Sequence, residues 1–249
     1  MKAIVLKNLT KKFLDVTAVD DLSLKVGYGE VVALLGSNGA GKTTTLNMIT
    51  GFLTPNFGEV LINEKWNHKN HYREIKNEVG YLTGSMQLYD KFSIKECLLF
   101  LADLRSLEKD FVSKRMEELV QLFQMESYLK KKFSELSSGQ KQRALIAATI
   151  LHDPRILILD EITANLDVPS ARLIMDFLKL EKERGKAILF STHILSEAEY
   201  LSDQIAIIHN GKVMEKTTSS EFKQKFGVTN LTDAFCDAIE SFNKVKKVD

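Results

Sequence analysis

The chain has 249 residues, 44% hydrophobic and 27% charged, enough to bury one large core or two modest lobes. A formal net charge of +1 excludes the basic footprint of a nucleic-acid binder, and no apolar run approaches the roughly 20 residues that cross a bilayer. Lys2 and Lys7 flank only a short strand at residues 3–6, so no secretory signal is read there. Cys97 and Cys236 lack metal-type spacing and speak for a reducing compartment, with both thiols as small buried hydrophobes. The expectation is a soluble, cytoplasmic chain whose membrane-spanning partner, if it has one, is another polypeptide.

Short β-rich segments open the chain at residues 3–9, 22–26 and 30–35. The third runs into Gly36-Ser37-Asn38-Gly39-Ala40-Gly41-Lys42-Thr43, and Thr44 continues into an apolar helix. This is the phosphate loop G-x-x-x-x-G-K-[ST] in its strand–loop–helix context. Glycines let backbone N–H groups converge on an anion, and the helix N-terminus adds partial positive charge. Lys42 is expected at the β- and γ-phosphates and the Thr43 hydroxyl at Mg²⁺. A chance match in a chain of this length is roughly one in a hundred, so a nucleoside triphosphate is the expected ligand.

A turn at residues 54–58 and a strand at 59–62 follow, then a polar, irregular stretch to residue 78 and a strand at 79–83. His68 and His71 lie in that polar stretch without a third ligand and are read as surface residues rather than a zinc site. From Ser93 to Leu151 the pattern turns helical, with Ile94, Leu98, Leu101 and Leu104, then Val112, Met116, Leu119 and Phe123, at three- and four-residue steps. Within it, Lys130-Lys131-Lys132 reads as a solvated loop. Strands return at 156–160, 187–192 and 205–209, with a helix at 170–184. Continuous apolar strands separated by helices predict an α/β fold: a P-loop core with a mixed, largely parallel sheet, an N-terminal antiparallel β subdomain and an inserted helical lobe at about residues 88–154. A nucleotide-binding domain at residues 1–230 is followed by a tail at 231–249. There Leu231, Ala234, Phe235, Ala238, Ile239 and Phe242 share one helical face. It is expected to pack on the parent domain, a dimer contact being the alternative, and Lys244, Lys246 and Lys247 form a solvated end.

Four further motifs carry chemistry. The apolar strand at 156–160 ends in Asp160-Glu161, and acids at the carboxyl end of a parallel strand face the ligand crevice. Asp160 can join the Mg²⁺ shell and Glu161 can polarise a water for in-line attack. In Leu136-Ser137-Ser138-Gly139-Gln140, Ser137 or Ser138 can cap the apolar helix that follows, leaving N–H groups for a second anion contact. Ser191-Thr192-His193 closes another strand, where His193 could donate to the γ-phosphate. Ala164-Asn165-Leu166-Asp167 could touch a partner subunit.

In order and spacing these motifs resemble the ATP-binding cassette family over nearly the whole chain. The segment Gly80-Tyr81-Leu82-Thr83-Gly84-Ser85-Met86-Gln87-Leu88-Tyr89 is most similar to single-cassette exporter subunits of the sodium- and drug-efflux type. The resemblance implies ATP and Mg²⁺ as ligands and a second cassette, identical or a close paralogue, paired head to tail. It also implies a separate transmembrane permease on the inner face of the membrane, Phe13 stacked on adenine, and no nucleic-acid partner. Ribosome- or nucleic-acid-directed ATPases and regulatory dimerisers with little turnover are the alternative readings. The chain departs from the family pattern at Ser138, where glycine is common, at Ile162 for proline, and at Asn165 for glycine. It also has Gly84 where a glutamine is usual, with Gln87 three residues on.

Overall fold

The computed structural model describes residues 1–164 and 166–245. Antiparallel pairing joins β1 (Lys2–Phe13) to β2 (Val16–Gly27) on one side and to β4 (Phe57–Ile62) on the other. The second sheet holds β3 (Val31–Leu35), β5 (Val79–Leu82), β6 (Ile156–Asp160), β7 (Ala187–Thr192), β8 (Gln204–His209) and β9 (Lys212–Thr217), in the order β5-β6-β7-β3-β8-β9. All its pairings are parallel except β8 with β9.

The continuous apolar strands are buried on both faces, and a period of two sorts their residues between two cores. Val32, Leu34, Ile158, Leu189 and Ile208 face the antiparallel sheet and α1 (Lys42–Ile49). Ala33, Leu35, Leu159, Phe190 and Ile207 face the opposite core. That second core also takes Ile94 and Leu98 of α3 (Ile94–Leu104), Leu119 of α4 (Lys109–Leu122) and the buried side of α5 (Ser138–Ile150). The helical stretch inserted between β5 and β6 therefore shares its hydrophobic cluster with the sheet. Phe123, just after α4, meets Phe177 of α6 (Val168–Glu183) edge-on, with ring centroids 5.1 Å apart.

Several elements have weaker sequence signals. The polar stretch before β5 contains α2 (Tyr72–Glu78), which buries only Ile75. Beyond β7 lie α7 (Leu195–Leu201) and, after β9, α8 (Ser219–Phe226). The tail forms α9 (Leu231–Val245), which lies against α7 and α8 and buries Leu231, Ala234 and Ala238 in the domain core. The expected packing on the parent domain is seen for Leu231, Ala234 and Ala238, while Phe235, Ile239 and Phe242 of the same face stay partly exposed. Lys246 and Lys247 lie outside the described residues. Cys97 is buried, whereas Cys236 is exposed on the polar side of α9, contrary to the expectation for that thiol.

At the amino ends of β6 and β7, away from the phosphate loop, Glu181 is fully buried. Its carboxylate lies 2.5 Å from Lys186 Nζ and 2.8 Å from Arg184 Nη1, and Lys186 also meets Asp153 at 2.6 Å. Removing one member of a buried pair strands the other. Glu181→Ala is expected to destabilise the domain by about 3 kcal/mol in urea unfolding, because Lys186 keeps only the half-exposed Asp153.

His152, beside this cluster, carries a pKa lowered to about 3, first by burial and second by the charge of Arg105. The unfolded chain takes up that proton near pH 6.5, the folded chain only near pH 3. The stability contributed by neutral His152 is therefore complete above pH 6.5 and declines as pH falls toward 3. Urea titrations at pH 7 and pH 4.5 are expected to show wild type losing about 2 kcal/mol more than His152→Gln.

Candidate active site

β3 ends at Leu35 and hands the chain to a loop in which positions 36 and 41 have no room for a side chain. A Cβ on Gly36 would lie 2.5 Å from the Ile208 carbonyl, and one on Gly41 2.5 Å from the Ala18 carbonyl. Gly41, at φ 105°, is also the residue from which α1 starts, and no side chain caps that helix. The first-turn N–H groups of α1 are thus left for an anion. Lys42 is 5% exposed and folds back over the loop, donating to the carbonyls of Gly36 at 2.8 Å and Ser37 at 3.2 Å.

The strand order β6-β7-β3 brings three carboxyl ends together beneath this loop. Thr43 Oγ1 donates to Asp160 Oδ2 at 2.8 Å, joining the start of α1 to the end of β6. Ser191 Oγ donates to the other Asp160 oxygen, fixing the carboxylate from both sides. Glu161 follows in the left-handed region at φ 49°, its N–H held by Ser191 Oγ at 3.1 Å and the Ser191 carbonyl at 3.2 Å. A glutamate in that region is strained, and such strain gathers at functional sites. The Glu161 carboxylate stands 3.7 Å from Lys42 Nζ and 3.3 Å from His193 Nδ1.

Asn38, Gly39, Gly41, Lys42, Thr43, Thr44, Asp160 and Glu161 line one cleft of about 490 Å³. Gly36, Ser37 and Ala40 shape the loop behind it. Sequence reasoning had not singled out Asn47 and Tyr81 as lining residues, nor Ser191 as the anchor of Asp160. Burial, then the Asp160 charge, raises the Tyr81 pKa above its ordinary value, so its hydroxyl stays protonated and donates to Asn47 Oδ1 at 2.8 Å. Only the buried, partnered position of Ser191 reveals its part, although the motif Ser191-Thr192-His193 contains it.

Other expected residues lie apart from this cleft. Ser137 is the cap of α5, accepting from the Gln140 N–H at 3.3 Å, and Gln140 Oε1 accepts from the Ser137 N–H at 3.1 Å. Ser138 is the first helical residue, and none of Ser137, Ser138, Gly139 or Gln140 lines the cleft. Arg143 Nη2 donates to Ser170 Oγ at 3.3 Å, and Asp167 caps α6 by accepting from the Ser170 N–H at 2.7 Å. The start of α5 is thereby tied to the loop that contains Ala164, Leu166 and Asp167, while Asn165 lies outside the described residues. Phe13 is half-exposed at the end of β1, with Lys11 Nζ 5.3 Å from its ring centroid. Gln87 is exposed and does not line the cleft; Gly84 does.

A phosphate loop facing an anchored aspartate, a strained glutamate and a histidine defines a P-loop nucleoside-triphosphate hydrolase. The family model described as "ABC transporter" matches residues 19–164, and the chain belongs to that family. It is an ATP-binding and ATP-hydrolysing cassette. The chain is similar to "ABC transporter ATP-binding protein NatA" of Bacillus subtilis (strain 168), at 37% identity over 85% of this chain and 87% of the relative. A solved ATP-binding subunit of an ABC transporter superposes with a TM-score of 0.88 at 29% identity, covering 95% of this chain and 99% of that one. A dimeric post-hydrolysis cassette bound to ADP and Pi does so with a TM-score of 0.77 at 26% identity, over 86% and 98% of the two chains.

Proposed function

We propose that two such cassettes, identical or closely paralogous, pair head to tail and close on two ATP molecules to drive a membrane exporter. The observation that carries this reading is the division of the site. The phosphate loop, Asp160 and Glu161 share one cleft, with His193 Nδ1 3.3 Å from the Glu161 carboxylate, while the capped start of α5 lies outside that cleft. The Ser137–Gln140 helix start can therefore meet the γ-phosphate only from a second molecule, whose own cleft it would complete.

Within each site, Gly36 to Thr44 cradle the triphosphate, Lys42 offsets its charge and Phe13 stacks on adenine. The hard-oxygen pair Thr43 and Asp160, 2.8 Å apart, suits Mg²⁺, which takes few carboxylates and completes its shell with water and substrate phosphates. A cation held by these two residues would supply charge neutralisation at the phosphate oxygens. Glu161 accepts the proton of the attacking water as the bond from the γ-phosphorus to ADP breaks. His193 hydrogen-bonds the γ-phosphate and holds Glu161 in place through Nδ1. Loss of the γ-phosphate removes the contact to the partner's α5, and the pair separates.

No helix among the described residues is long and apolar enough to cross a membrane. In this reading the translocation path belongs to a separate permease, and the cassette sits at the inner face of the membrane. Pull-down from detergent-solubilised membranes, with mass spectrometry of what is retained, tests it. A polytopic membrane protein is the expected catch. Ribosomal proteins or nucleic acid in its place would overturn the transport reading and leave an ATPase of another kind.

A further inference from the structure

The far wall of the nucleotide cleft is formed by the segment that leaves β5. Tyr81, Thr83, Gly84 and Ser85 line it together with Asn47 of α1. Asn47, Tyr81, Thr83 and Ser85 also line a neighbouring, more apolar groove of about 600 Å³. The wall is therefore one side chain thick, and its own hydrogen bonds hold it in order. Tyr81 donates to Asn47 Oδ1 at 2.8 Å, the Thr83 and Ser85 hydroxyls share a hydrogen bond of 2.9 Å, and the Ser85 N–H reaches Thr83 Oγ1 at 3.2 Å. The Met86 N–H closes the turn on the Thr83 carbonyl at 3.1 Å.

Gly84, at the apex, is not required by space or by backbone. A Cβ there would find no atom nearer than the Asp160 carbonyl at 3.9 Å, and its φ is not in the left-handed region. The position faces the catalytic strand, has room for a long polar side chain, and holds none. Gln87 lines neither cavity. The polar side chains this turn offers to the cleft are the two hydroxyls, each both donor and acceptor. Bonding to one another occupies one O–H and leaves a second O–H and further lone pairs for water.

We propose that Thr83 and Ser85 act as a paired positioning element for hydrolysis, ordering the water that lies between this wall and the Thr43–Asp160–Glu161 side of the cleft. They do so in place of the carboxamide that glycine at position 84 cannot supply. Tyr81 and Asn47, bonded to each other, line the same wall. This inference rests on the ATPase reading and assigns the water-ordering role on that site to specific residues.

The test uses the full chain carrying Thr83→Val and Ser85→Ala together. Mn²⁺ affinity of the AMP-PNP complex is measured by electron paramagnetic resonance, and metal-free AMP-PNP affinity by calorimetry. Mn²⁺ affinity is expected to fall about tenfold, as for residues that orient metal-bound water, with metal-free nucleotide affinity unchanged. The KM for ATP should hold while kcat falls, and adding Gly84→Gln to the double variant should restore Mn²⁺ affinity. Unchanged Mn²⁺ affinity overturns the proposal. So does a parallel loss of metal-free nucleotide binding, which marks the pair as structural. Wild-type protein that binds no AMP-PNP would overturn the ATPase reading along with it.

Discussion

Glu161→Gln is expected to lower ATP turnover by about a thousandfold while leaving nucleotide affinity intact and allowing an ATP-bound dimer to accumulate. Glutamine matches glutamate in shape and can still hydrogen-bond His193, which stands 3.3 Å from the carboxylate. The backbone of residue 161 keeps both hydrogen bonds to Ser191, so the end of β6 has no reason to move. What disappears is the capacity to take a proton from water. Phosphate release measures the loss, and gel filtration with MgATP reports the dimer. Turnover within tenfold of wild type would show that the proton goes elsewhere and that Glu161 is not the base.

Lys42→Ala should act on binding rather than on the chemical step. Lys42 is almost fully buried, yet its ammonium meets two carbonyls and lies 3.7 Å from the Glu161 carboxylate. In the proposed bound state the triphosphate would supply the strong counter-charge for this cation. Truncation leaves the Gly36 and Ser37 carbonyls without their donor and the phosphate oxygens facing a carboxylate. The expected cost is about 3 kcal/mol, roughly two orders of magnitude in the Kd for ATP. Calorimetric affinity within threefold of wild type would remove Lys42 from the phosphate site. Glu161→Gln and Lys42→Ala therefore separate affinity from turnover on two side chains that almost touch.

Most of the site was legible because it is local. The phosphate loop and the acidic end of β6 each occupy a few consecutive residues, with chemistry set by residue type and order; the α5 cap is equally local but lies outside the cleft. The parallel sheet was legible for a related reason: strands such as 156–160 and 187–192 are apolar throughout because both faces are covered. Signals failed where burial is one-sided or slight. β9 is an edge strand of sequence Lys-Val-Met-Glu-Lys-Thr without a fully buried residue, and α2 buries Ile75 alone. α8 was readable in principle, since Thr218 and Glu221 form a capping box before it. Of the wall residues, Tyr81, Thr83 and Ser85 share one segment, but Asn47 comes from α1, and only the packed fold brings it to them. The choice between Ser137 and Ser138 as cap likewise needed geometry, because both residue types cap equally well.

The left-handed backbone at Glu161 has a consequence for any search among variants of this chain. Glycine adopts that conformation without the cost a side chain carries, on the order of 1 kcal/mol. At this one peptide unit, robustness and turnover pull in opposite directions. Variants ranked by heat tolerance alone would favour glycine at position 161, and the most durable member of such a library would lack the carboxylate proposed as the base.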